Sequence, residues 1–154
     1  MLDHYRRLAE QTTIDGRTLL STDYFNHFNE VIMLLSMLGD MPEMLEEIRA
    51  WRPKTYQEHF QDSGLGFARL AIDCYDHVPA EFRIPFDETV AQLNATIAEA
   101  AALLPDLAHD AGQLGMAAFG YWQRLQELVD QGSAIVHGST PQATMNQSAI
   151  DDLF

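Results

Sequence analysis

The chain has 154 residues, 47% of them apolar and 21% charged, a balance that suits one globular domain able to close a core without disulfides or metal, and that excludes disorder as a description of the whole. Nine Lys and Arg stand against twenty-three Asp and Glu, for a net charge of −14; that field repels phosphate backbones and anionic lipid, so it argues against nucleic-acid and membrane partners and for basic ones. The single cysteine, Cys74, excludes an internal disulfide and any Cys-based zinc pattern, and with no signal-peptide-like start and no run of membrane-spanning length the expectation is a cytoplasmic protein without a cofactor.

Leu2, Tyr5, Leu8 and Ala9 fall at helical spacing, so the first element is a short helix to about Gln11, broken at Ile14-Asp15-Gly16. Ser21 or Thr22 can cap a second helix running to Gly39. Its inner face carries Tyr24, Phe28, Val31, Leu35 and Leu38, and Phe25, Ile32, Met33 and Leu34 widen the stripe, which places this helix at the centre. Asp40 and Pro42 suit the start of a third element, where Glu43, Glu46 and Glu47 precede Ile48 and Trp51 and Pro53 ends the run. A further helical turn covers 55–60, and Ser63-Gly64 leads into a helix over 65–78. Phe82, Ile84 and Phe86, around Pro85, read as an irregular connection that lays its aromatic residues over the core. Two long helices follow, at about 86–104 and 106–136. They join at Pro105, a residue that a helix accepts at its start but not inside. Gly112, Gly115 and Gly120 each cost up to about 1 kcal/mol against Ala, which points to close packing or a kink in the last helix. No stretch alternates as a strand would. The expected fold is therefore all-α: a compact bundle of five or six helices over 1–137, a flexible linker over 138–148 and a recognition tail over 149–154.

The linker, GSTPQATMNQS, has no charge and almost nothing to bury, whereas the six residues after it, AIDDLF, are apolar and acidic. In a helix Ile150, Leu153 and Phe154 would share one face, with Asp151 and Asp152 turned away and Ser148 and Asp151 at capping-box spacing. Such a segment gains from being apolar only when a groove receives it. The stretch from Gln147 to Phe154 resembles short receiver-binding segments of bacterial motility proteins: the Ser-Gln-x-x-Ile-Asp-x-Leu of the flagellar motor switch protein, and the Val-Asp-Asp-Leu-Leu with which the chemotaxis phosphatase ends after a flexible linker. The resemblance implies that Ile150, Leu153 and Phe154 dock on a CheY-like receiver domain, with Asp151 and Asp152 near its basic residues. It also implies that a phosphatase would carry an acid four residues before a catalytic Gln, in an Asp-x-Thr-Gly-Gln setting. Glu88 with Gln92 and Glu127 with Gln131 have that spacing without that setting, so the expectation is a non-catalytic adaptor, with receiver phosphatase as an alternative.

A rival expectation comes from Asp23, His27 and Glu30, which fall along one helical face. With Asp73, Asp76 and His77 from a second helix, they would form the kind of carboxylate and imidazole set that holds a metal or small ligand inside a helical bundle. The order His-x-x-Glu reverses the Glu-x-x-His pair of di-iron bundles, and the polar edge of an amphipathic helix is the plainer reading. Cys74 reads as a buried thiol, His59 has no nucleophile partner in sequence, and Trp51, Trp122, Met33, Met37, Met41 and Met44 read as core.

Overall fold

The computed structural model describes residues 2–139. They form seven α-helices and three short 3-10 turns, with no strand among the described residues beyond an isolated bridge between Ile14 and Ser21. The expectation of an all-α bundle is met. No helix of the described residues is long and apolar enough to cross a membrane.

Helix α1 (Leu2–Ala9) rests on α5 (Ala68–Tyr75), where the Tyr5 ring stacks on His77 at 4.5 Å. The loop that follows is fastened by side chains. The Asp15 carboxylate accepts the Arg17 and Thr18 amides at 2.8 and 3.1 Å, and the Thr18 hydroxyl donates to the Val136 carbonyl at 2.7 Å. These bonds hold Leu19, wholly buried, at a φ of 63°, a left-handed conformation that costs a side-chain-bearing residue about 1–2 kcal/mol. Ser21 then caps a 3-10 turn (Thr22–Phe25) that runs into α2 (Asn26–Met37), as the capping chemistry predicts.

Three glycines set the antiparallel pairing of α2 with α7 (Ala111–Val136). At one end Gly39 and Gly115 bring the backbones together, so that a Cβ on Gly115 would lie 3.4 Å from the Gly39 Cα; at the other, Gly132 lies under the Phe25 ring. Close packing is thus the reason for Gly115, whereas Gly120 meets nothing and Gly132 is a contact that the sequence did not flag.

Helix α6 (Ala80–Leu103) corrects an expectation. The segment around Pro85 is no irregular connection but the first turns of a continuous helix. Proline removes one intrahelical bond there, the one that would reach the carbonyl of Glu81, and Glu81 is exposed to solvent. Phe82 and Phe86, one turn apart and both buried, hold that turn on the core, while Ile84 points outward at 55% exposure. Pro105 sits in the 3-10 turn Leu104–Leu107, and α7 starts later than its spacing suggests, at the Asp110 cap, whose carboxylate accepts the Gln113 amide at 3.1 Å.

The short helix α3 (Leu45–Ala50) packs on α2 and α6, and α4 (Tyr56–Ser63) packs on α5, α4 opening on a capping box between Thr55 and Glu58. The core centres on the rings of Tyr24, Phe25, Phe28, Tyr56, Phe60 and Phe86. Gly138 and Ser139, read from sequence as linker, belong to the end of α7. Gly138 takes a φ of 102° and donates to the Ile135 carbonyl while Ser139 donates to that of Ala134, the paired bonds of a Schellman cap.

Candidate functional site

The carboxylates and imidazoles singled out in the sequence are dispersed among structural roles. Asp23 accepts hydrogen bonds from the hydroxyls of Thr13 and Ser21 and from the Asn26 amide, anchoring the preceding loop to the helix start. His27 is buried. Its Nε2–H donates to the Arg52 carbonyl at 2.7 Å, its ring stacks on Trp51 at 4.6 Å, and the Trp51 indole N–H returns a bond to the His27 carbonyl, so the ring ties α2 to the end of α3. Glu30 stands 3.9 Å from His27 Nδ1 on the solvent side. Asp73 pairs with Arg69 at 3.6 Å, and His77 is the residue stacked on Tyr5. Helix α2 packs on α7 and α3 while α5 packs on α4 and α1. No group of three His, Cys, Asp or Glu among the described residues is placed to hold a metal ion.

A cleft of about 370 Å³ opens between α4 and α6, lined by Tyr24, Lys54, Glu58, Tyr75, Asp87 and Asn94 among others. Most of its polar groups are engaged within the protein, whereas the Asn94 Oδ1 is buried without a hydrogen-bond partner among the described residues. Tyr24 donates to the Lys54 carbonyl at 2.6 Å, Tyr75 to Asp87 at 2.7 Å, and the Lys54 ammonium pairs with Asp62 at 3.1 Å. Burial above all, reinforced by Asp87, raises the pKa of both phenols and keeps them neutral donors. Burial likewise pushes the Cys74 thiol up to about 11, in keeping with a structural thiol.

His59, half-buried, lies with its ring 5.7 Å from Tyr24 and 6.5 Å from His27. Burial first, and then His27, lower its pKa from the ordinary 6.5, against an opposing hydrogen bond to the Asp23 backbone. A histidine with a depressed folded pKa takes up its proton more readily when unfolded. Stability is therefore full above the unfolded value and falls as pH drops through about 6.5 toward the folded value. Urea midpoints between about pH 7.5 and pH 5 should decline, and His59→Gln should flatten that part of the slope.

The two acid and glutamine pairs lie on the outer faces of α6 and α7. Arg124 donates to the Gln92 side chain at 3.2 Å and stands 3.7 Å from Glu127, so it joins one member of each pair across the hairpin. That contact orients the Gln92 amide oxygen toward a cation.

An exposed apolar feature lies between α2 and the first half of α7. A groove of about 270 Å³ is lined by Gly39 and Gly115, whose backbones meet, and by Leu35, Ser36, Asp40, Phe119 and Trp122. Phe119 is 56% exposed and stacks on Trp122 with ring centroids 5.7 Å apart; Met116, one turn earlier, is 78% exposed, and Met33, one turn before Ser36, is 59% exposed. Reading Met33 and Met41 as core is thus corrected, since both are exposed. Sequence reasoning passed over Met116 and Phe119, although a signal was present: Leu114, Ala118, Leu125 and Leu128 mark the buried face of α7, and Met116 and Phe119 fall opposite it. Apolar groups of this size, grouped beside a groove, mark interaction sites more often than they occur by chance.

The tail residues Ile150, Asp151, Asp152, Leu153 and Phe154 lie outside the described residues. Comparison with protein-family models, with curated proteins and with solved structures found no match. The functional reading therefore rests on the residues themselves.

Proposed function

We propose that the chain is a non-catalytic adaptor in bacterial signalling or motility, whose residues 149–154 dock on the receiver domain of a response regulator while the helical body offers a second contact surface. The observation that carries this reading is the segment Ile150-Asp151-Asp152-Leu153-Phe154, set off by an uncharged stretch and similar to known receiver-binding segments. Two features of the body agree with it. Its described core runs from Ala9 to Val136 and is closed by its own helices, and around its main cleft Tyr75 bonds Asp87, Lys54 pairs with Asp62 and Tyr24 bonds the Lys54 carbonyl. The exposed groove beside Phe119 suits a protein that works by contact.

The test is a titration of the full chain against a panel of receiver domains from the same cell, each with and without a phosphoryl mimic. Saturable binding is expected to at least one of them. Burying a large apolar side chain contributes about 1.5–3 kcal/mol, so Ile150→Ala combined with Phe154→Ala should weaken that binding by about 100-fold or more. Helicity and Tm should stay as in the parent chain. Undiminished affinity in the double variant would remove the tail from the interface and sink the proposal.

A further inference from the structure

We propose that the groove between α2 and α7 docks a cationic amphipathic helix from a partner protein. The inference deepens the adaptor reading of the body and does not depend on the tail.

Shape comes first. The groove runs from Gly39 and Asp40 to Leu35 on one side and from Gly115 to Trp122 on the other, and seven residues of helix span about 10 Å, the length of two turns of a docked helix. The approach of Gly39 to Gly115 removes side chains from the floor at the point where the two backbones meet. Phe119 and Trp122, stacked on each other, make a rigid wall, and outside the groove the exposed Met116 and Met33, one turn before Phe119 and Ser36, carry thioethers that can repack around different apolar faces.

Charge decides the occupant. Asp40 lines the groove, Glu43 is exposed three residues further on, and the exposed Asp110 caps α7 just over one turn before Gly115. Helix α2 carries no Lys or Arg, and the only one between residues 84 and 139 is Arg124, which is engaged with Gln92 and Glu127. An apolar floor that ends among carboxylates complements a helix with apolar anchors on one face and Lys or Arg beside them. A second copy of this chain would bring the same carboxylates against each other at a net charge of −14 each, and the chain's own AIDDLF segment is acidic as well. Both are poorer occupants.

The experiment titrates the full chain with a synthetic Leu/Lys amphipathic helical peptide of about four turns, followed by the fluorescence of Trp122 and by calorimetry, with oligolysine of equal charge as competitor. One-to-one binding is expected, weakened about 10-fold or more by Met116→Ala with Phe119→Ala and about 3-fold by Asp40→Asn with Glu43→Gln. These side chains are exposed, so circular dichroism should show the variants folded. The tail variant Ile150→Ala/Phe154→Ala should bind the peptide as the parent does, and the groove variant should still bind a receiver domain, which separates failure here from failure of the tail reading. Equal affinity in the groove variant, or full competition by oligolysine, would overturn the proposal. So would a dimer in sedimentation that Phe119→Asp dissociates, which would make a second copy the occupant, or tighter peptide binding in the tail variant, which would make it the chain's own segment.

Discussion

Phe86→Ala is expected to lower the free energy of unfolding by about 4 kcal/mol, a large part of the roughly 5–15 kcal/mol that holds a domain of this size together. Phe86 is 1% exposed, and its ring meets Phe25 at 5.8 Å, Tyr56 at 5.9 Å and Tyr24 at 6.1 Å. Removing it opens a void among rings from the 3-10 turn before α2 and from the start of α4, and rings locked by neighbours relax into such a void only in part. The effect should be larger here than at an ordinary core phenylalanine for a local reason as well. Residue 86 follows Pro85, and its burial with Phe82 is what keeps α6 helical through the proline. Chemical denaturation with far-ultraviolet circular dichroism should show a lower midpoint together with some loss of native helicity. An unchanged midpoint would mean that the turn at Pro85 is held by something other than its aromatic residues.

Gly132→Val should cost about 3 kcal/mol, although it lies in the interior of a helix where most side chains are preferred to glycine. A Cβ built on Gly132 would stand 2.5 Å from the tip of the Phe25 ring and 2.9 Å from its edge, and Phe25 is itself 2% exposed among Tyr24, Phe28 and Phe86. The ring has nowhere to go, so α7 must move away from α2. Gly120→Ala in the same helix is the control. It meets nothing within 4 Å and should raise stability by about 0.5–1 kcal/mol through helix propensity alone. Thermal unfolding of the two variants should therefore shift in opposite directions, and a common direction would contradict the packing at Phe25.

Most of the helices were legible because helix formation is governed by neighbours three and four residues away. The stripe from Tyr24 to Leu38, the Ser21 cap and the stop at Pro53 all act within one or two turns, and each appears where the chain chemistry puts it. The errors fall where distant contacts overrule local rules. Pro85 should end a helix, yet burial of Phe82 and Phe86 carries α6 through it. Leu19 should avoid a positive φ, yet the hydrogen bonds of Asp15 and Thr18 hold it there. The acidic and histidine residues offered the correct helical faces for a metal site, but the spacing along one helix says nothing about which helix packs against it.

The all-α class, the succession of most helices, the Ser21 cap, many of the buried stripes and the acidic field are readable along the chain, because each follows from composition or from interactions between near neighbours. Which stripe meets which is settled by long-range packing. The pairing of α2 with α7, measured out by Gly39 against Gly115 and by Gly132 under Phe25, covers Leu35 and Leu114 and leaves Met33, Met116 and Phe119 outside. A hydrophobic period marks the face that must be covered; the choice of cover depends on the shapes of two surfaces brought together, and that choice is what leaves an open groove at Phe119.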